Sequence, residues 1–271
     1  MYILVLSMAT EVIAVVGGKW GDEGKGKVVD LLAQDASMVI RAQGGDNAGH
    51  TVVNGQGEFA LHSVTSGIFN PEVLNVISNG VVLNPVSLVG ELDDLERRGV
   101  NTSSFFISPK THLVFDYHLS LDDWDEKSKG TQKIDTTKRG VGPAYTDKAR
   151  RIGIRAGSLR NPNELLEKIN DVLSIKRDEF PGLSKDDDFQ LSYYEETVLR
   201  ICQRLGPLVC DTHEMIQQQL RSGRGRIIIE GAQGTLLDLD HGGYQNVTSS
   251  NTTVGGLLVG AGIAPRNLTR S

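Results

Sequence analysis

The sequence predicts an α/β fold with a mostly parallel central sheet, a glycine loop of the phosphate-binding kind and a helical insertion. Three observations carry that expectation. Short apolar runs of strand length alternate with segments of helical period, the pattern of α/β chains. Glycine supplies 31 of 271 residues against 8 prolines, which is about 11% where roughly 7% is usual, and there is no collagen-like repeat. The glycines gather at the ends of expected strands, and the middle third reads as successive helices.

The elements follow in order. Residues 10–16 read as a buried strand, 17–24 as a glycine-rich turn, and 25–33 as a helix with Val28, Leu31 and Leu32 at helical spacing. A second strand at 37–41 ends in the polar loop 43–50. Residues 51–53 and 59–61 flank Asn54-Gly55, a pair that favours a tight hairpin turn. Strand character returns at 76–77 and 80–83. Pro85 then opens a helix with Leu88, Leu92 and Leu95 on one face and Gly99 as its stop. Further strands are expected at 105–108 and 113–115. Residues 119–134 are charged and amphipathic and lead into a loop at 135–145. Helices at 163–175, 193–204 and 211–221 form the insertion, a short buried strand follows at 226–230, and a glycine-rich run covers 255–264. One domain is expected over 1–271, with 1–9 an extension.

Composition narrows the function classes. Lys+Arg total 28 and Asp+Glu 34, a net charge of −6, which argues against a general nucleic-acid or membrane-surface binder. No stretch reaches the roughly 18 apolar residues of a membrane span. Cys202 and Cys210 lack metal-ligand spacing and make no disulfide framework, so they read as free thiols of a cytoplasmic protein.

The strongest chemical signal lies between the first strand and the first helix. From Gly21 the chain fits G-x-x-x-x-G-K through Gly26 and Lys27, but Val28 stands where a P-loop places Ser or Thr. Backbone amides and Lys27 still suit phosphates at a helix N-terminus. With the usual magnesium hydroxyl missing, Asp22 is the natural substitute, because magnesium takes one or two carboxylates plus substrate oxygens. A second cluster, Gln43 to Thr51, offers the Asn47 amide, a free carbonyl at Gly49 and an acid or electrostatic partner in His50. Paired hydroxyls at Thr136-Thr137 before Lys138-Arg139 suit a nucleotide monophosphate. Gln233 is delivered by a strand end into a turn, and 247–253 adds hydroxyls. The other histidines, His62, His112, His118, His213 and His241, show no ligand spacing and read as structural.

Taken together, Trp20-Gly21-Asp22-Glu23-Gly24-Lys25-Gly26-Lys27, Asn47-Ala48-Gly49-His50-Thr51, Thr136-Thr137, Arg139-Gly140-Val141-Gly142-Pro143-Ala144-Tyr145, Glu230-Gly231-Ala232-Gln233-Gly234-Thr235 and the 247–253 stretch resemble the adenylosuccinate synthetase family. The resemblance is collinear from Val12 onward. It implies a GTP-dependent ligase that joins IMP and L-aspartate to give adenylosuccinate, GDP and phosphate with magnesium, through 6-phosphoryl-IMP. The position matching Asp22 removes the N1 proton of IMP and ligates magnesium together with Gly49. The position matching His50 assists transfer of the γ-phosphoryl group to the purine O6, with Lys25 and Gln233 as further catalytic positions. GTP contacts are implied at Gly21, Asp22, Glu23, Gly24, Lys25, Gly26, Lys27, Gly49, His50 and Thr51. IMP contacts are implied at Asp22, Glu23, Gly24, Lys25, Asn47, Ala48, Gly49, His50, Thr137, Gln233 and Thr248, with Arg151 reaching into the other subunit of a homodimer.

The chain departs from the family pattern at Lys138, usually glycine, at Asp46, usually neutral or histidine, and at Gly243-Tyr244-Gln245-Asn246, usually a Thr-Tyr-Pro stretch. The resemblance also implies a longer chain, continuing into an arginine-rich loop for aspartate and a guanine-reading motif. Two other readings stay open at this point. One is a sister ligase for another purine monophosphate, the other a truncated nucleotide-binding module without catalysis.

Overall fold

The computed structural model describes residues 9–128, 130 and 136–271. The start of the expected extension, residues 1–8, and the end of the amphipathic segment with Asp135, at 129 and 131–135, lie outside the described residues.

Strand β1 (Glu11–Gly17) passes through the glycine loop into helix α1 (Lys25–Ala33), and β2 (Met38–Arg41) follows, buried along its whole length. β3 (His50–Asn54) and β4 (Gly57–Leu61) make the expected hairpin, with its turn one residue later than expected, at Gly55-Gln56, because Asn54 itself pairs with Gly57. After β5 (Leu74–Ile77) and β6 (Val82–Leu83), helix α2 (Pro85–Arg97) starts where the Asn84 side chain accepts the N–H groups of Val86 and Ser87. Such a cap contributes about 1 kcal/mol. Leu88, Leu92 and Leu95 are buried as expected, and Gly99 ends the helix at φ 84°. β7 (Phe105–Ile107) and β8 (His112–Leu113) precede the helical stretch of α3 (Asp116–Ser128), α4 (Val141–Arg150), α5 (Pro162–Glu179), α6 (Glu195–Leu205) and α7 (Thr212–Arg221). The chain then returns to the sheet as β9 (Arg226–Gly234) and continues to α8 (Val254–Ala261).

The central sheet has the order β1-β9-β2-β5-β7, and every neighbouring pair is parallel. Parallel sheets are covered on both faces, which explains three consecutive isoleucines, Ile227, Ile228 and Ile229, all with no exposed surface. Ile227 and Ile229 pack with Leu257, Leu258 and Ala261 of α8, whereas Ile228 packs with Val29 and Ala33 of α1. The larger core gathers α2, β7, α5 and α6 around Phe105, Leu165, Ile169 and Ile201. At the outer edge of β1, the Thr269 N–H donates to the Val12 carbonyl and the Ala14 N–H to that of Arg270. No helix among the described residues is long and apolar enough to cross a membrane.

Three local expectations need correction. The buried face of α1 is Gly26, Val29 and Ala33, and Val28 and Leu31 point outward at 46% and 64% exposure. The stretch expected as a loop at 135–145 contains the start of α4, entered through Gly140 at φ 68°. The glycine run expected at 255–264 is largely α8. A Cβ on Gly260 would collide with the Ala42 carbonyl, so glycine is what lets this helix approach the loop after β2.

His112 on β8 provides a pH handle. Burial, then the cations of Lys148 and Arg155, lower its pKa from 6.5 to about 4. The unfolded chain therefore binds the proton first as pH falls, and stability declines between about pH 6.5 and 4 by up to about 3 kcal/mol. Denaturant midpoints across this range are expected to fall with acidification, and His112→Gln is expected to flatten that part of the slope.

Candidate active site

Ligands of open α/β sheets bind in the crevice beyond the carboxyl ends of the strands. Because β9 lies between β1 and β2, three segments meet there: the glycine loop after β1, the end of β9 and the loop after β2. Two residues in these segments hold the left-handed backbone without being glycine, Asp22 at φ 55° and Gln233 at φ 63°.

A pocket of about 200 Å³ forms at this junction. Asp22, Gly24, Lys25 and Gly26 line one side, Ala48, Gly49, His50 and Thr51 another, and Gln233 closes it from β9. Helix α1 begins at Gly24, at φ 82° and with no side-chain cap, so its first-turn N–H groups are available to an anion. Gly26 sits so close to the hairpin that a Cβ would lie 2.8 Å from His50 Cβ. Burial lowers the Lys25 pKa, opposed by the nearby carboxylates of Glu23 and Asp22.

His50 is buried at 5% exposure, and its Nδ1 is paired with Glu230 Oε1 while Nε2 has no partner. Glu230, fully buried on β9, also accepts from the Ser66 N–H at 2.9 Å and the Ser66 hydroxyl at 2.6 Å. Its register neighbour across the sheet is Arg41. Burial pushes the His50 pKa down despite Glu230. Burial also pushes the Glu230 carboxyl upward, but His50, Arg41 and Ser66 outweigh that and hold it below its usual range. The resting pair is thus a neutral imidazole donating Nδ1–H to an ionised carboxylate, with the Nε2 lone pair unused.

A second pocket, of about 270 Å³, is lined by Asn47, Thr136, Thr137, Gly142, Thr248 and again Gln233, among others. Gln233 is common to both, and its Nε2 donates to the Asn47 carbonyl at 3.0 Å. Asn47 Nδ2 approaches Thr248 Oγ1 at 3.5 Å.

Asp22, Lys25, His50 and Gln233 are therefore brought together, as are Asn47, Thr137 and Thr248. Other expected site residues stand apart in this arrangement. The Glu23 carboxylate is turned towards Gly17, Gly21 backs onto Gln233, and Lys27 is exposed on α1. Arg151 is exposed at the C-terminus of α4 with φ 66° and lines neither pocket. Asp46 is buried at 3% exposure, its pKa raised by burial against the opposing charges of Arg139 and His62. Lys138, at φ 53°, donates to Asp123 at 2.7 Å on the surface.

Sequence reasoning assigned no role to Glu230 or Tyr145. A carboxylate following three buried isoleucines was a signal for Glu230, since a buried charge requires partners. The Tyr145 hydroxyl accepts from the Gly44 N–H at 3.0 Å and donates to the Gly80 carbonyl at 2.8 Å, tying α4 to the loop that carries Asn47.

A parallel sheet with an anion-ready helix end, a buried His–Glu pair and two pockets sharing one wall defines an α/β protein with the features of a site for phosphate-bearing ligands. Comparison with known proteins specifies it further. The sequence profile of the family described as adenylosuccinate synthetase matches residues 14–271. The adenylosuccinate synthetase of Dehalococcoides mccartyi is 46% identical over 258 residues, covering 95% of this chain and 61% of that protein. The solved structure of fully ligated adenylosuccinate synthetase from Plasmodium falciparum superposes with a TM-score of 0.84 at 34% identity, covering 96% of this chain and 60% of that one. A cyanophage S-2L succinoaminodeoxyadenylate synthetase superposes with a TM-score of 0.66 at 21% identity over 97% of this chain and 63% of its own, a likeness of fold alone. The chain belongs to the adenylosuccinate synthetase family, and it spans about 60% of the length of the curated relatives it matches.

Proposed function

We propose that the protein is a GTP-dependent ligase joining IMP and L-aspartate, and that the described residues supply its phosphoryl-transfer pocket and its IMP pocket. The observation that carries this reading is Gln233, which walls both pockets and so sets a phosphoryl donor in one beside a purine nucleotide in the other. Asp22 takes the N1 proton of IMP, and the purine O6 attacks the γ-phosphorus of GTP as GDP departs. The amine of aspartate then displaces phosphate at C6. Lys25 and the N–H groups opening α1 offset phosphate charge, and Asn47, Thr137 and Thr248 hold the IMP phosphate. An anion entering beside His50 raises the proton affinity of the imidazole. Glu230 stabilises the resulting imidazolium, and Nε2–H then donates to the phosphoryl group.

Magnesium fits this pocket as a partly substrate-held ion. Among the described residues no cluster of three His, Cys, Asp or Glu side chains is placed to hold a metal, but Asp22 and Gly49 line the pocket together and nucleotide oxygens complete such a site. Bound there, the ion would neutralise charge on the transferring group. A cytoplasmic homodimer is part of the same proposal. The dimer draws on the exposed Arg151 at the end of α4 and the open cleft of about 930 Å³ between α4 and α8, bordered by Gly142, Lys148, Gly256 and Val259.

Titration calorimetry tests the IMP pocket on the chain itself. One IMP is expected to bind per chain, and Thr248→Val is expected to weaken it about tenfold, the effect of losing one hydrogen bond to a charged group. Absence of IMP binding, or equal affinity in that variant, would contradict the assignment. GMP run in competition checks the alternative purine substrate and is expected to compete poorly.

A further inference from the structure

We infer that Asp238 is a positioning residue whose carboxylate ties together both feet of the loop between β9 and α8 and so holds Thr248 in place beside Asn47. The inference rests on reading that pocket as the IMP site.

Asp238 has no exposed surface. Its Oδ1 accepts from the Asp240 N–H at 3.0 Å, the His241 N–H at 3.1 Å and the Asn251 side-chain amide at 3.4 Å. Its Oδ2 accepts from the Thr252 N–H at 2.6 Å and the Thr253 N–H at 3.2 Å. The first foot of the loop is thus gripped by one oxygen and the second foot mainly by the other. The Thr252 hydroxyl extends the grip to the end of β9, donating to the Gly234 carbonyl at 2.9 Å, one residue beyond Gln233. Between the feet, the Thr248 N–H donates to the Leu237 carbonyl at 2.8 Å and the Leu239 N–H to that of Ser250 at 3.3 Å.

Apolar packing does little for this loop. Leu236 and Leu239 are 39% and 41% exposed, and Tyr244 is 80% exposed. A buried carboxylate with several N–H donors is a strong tie by comparison, because hydrogen bonds to a charged group are the stronger kind. Burial alone would raise the Asp238 pKa, but the N–H groups of Asp240, His241, Thr253 and Thr252 hold it below the usual range, so the charged form is kept. Asparagine has the same shape but only one acceptor oxygen. Whichever way its amide is turned, an NH2 group faces N–H donors at one foot.

Asp238→Asn in the full chain tests the inference by two readouts. Amide exchange at Thr248, Thr252 and Thr253 is expected to speed up at least tenfold, with Ile227, Ile228 and Ile229 of β9 unchanged. The IMP dissociation constant is expected to rise at least tenfold while that for GTP stays within twofold. Unchanged exchange at the three threonines, or an IMP affinity within twofold of the wild type where the wild type binds IMP, would overturn it. So would equal weakening of both nucleotides with faster exchange throughout β9, which marks general unfolding. If the wild-type chain takes up no IMP, the reading of the pocket fails, and amide exchange on the free chain alone decides whether Asp238 holds Thr248.

Discussion

Glu230→Ala is expected to lower folding stability by about 3–5 kcal/mol, the cost of stripping the countercharge from a buried guanidinium. The carboxylate it removes sits opposite Arg41, which is 1% exposed and whose Nε and Nη1 have no hydrogen-bond partner. It also serves His50 Nδ1 and both donors of Ser66. Removing it leaves a buried guanidinium without the carboxylate that acts on it most strongly and frees the imidazole that faces the pocket. Glu230→Gln keeps the shape and one acceptor and is expected to lose less. Urea midpoints at fixed pH distinguish the two variants. A loss below about 1 kcal/mol in Glu230→Ala would mean that Arg41 is compensated elsewhere.

Asp22→Asn is expected to have the reverse profile, with little change in stability and a loss of phosphoryl transfer of about a hundredfold to ten-thousandfold, the range for removing a general base. Asp22 is exposed, so no buried partner is stranded. Its backbone stands at φ 55°, a conformation that Asn tolerates as well as Asp does. The substitution therefore removes the carboxylate without straining the loop. A large drop in urea midpoint, or undiminished transfer, would count against Asp22 as the base.

Where the sequence was legible, one physical signal dominated. The step from β1 through the glycine loop to α1 could be read because an apolar strand, a glycine cluster and a helical period follow one another without overlap, and the ends of α1 fall where they were expected. α2 was legible for the same reason, with Pro85 and Gly99 marking its limits. Where two signals competed, the reading failed. α8 carries Gly255, Gly256 and Gly260, which local propensity opposes, yet close approach to Ala42 requires the small residue. α4 opens across Gly140, Gly142 and Pro143, which read equally as a turn. On α1, apolar residues occupy two faces, and the small residues Gly26 and Ala33 turn inward because the His50 hairpin and the sheet press closely there.

The candidate site shows the same division. Residues that announce their chemistry beside glycine-rich turns, Asp22, His50 and Gln233, were legible as candidates, and the fold brings them around one pocket. Glu230 and Asp238 were not, because a carboxylate's role as a buried acceptor depends on donors that the fold brings to it, across a loop for Asp238 and from distant segments for Glu230. Ser66 lies 164 residues from Glu230, and no local pattern records that pairing.

The proposal that both pockets form one reaction space is tested most directly by following phosphoryl transfer without the final amination. GTP carrying a heavy-oxygen label in its βγ bridge, incubated with the chain, magnesium and IMP but no aspartate, is predicted to scramble that label into the non-bridging β-phosphate positions. Scrambling should depend on IMP and be lost in Asp22→Asn. Scrambling that proceeds without IMP, or none when both nucleotides are shown to be bound, would contradict a phosphoryl transfer across Gln233.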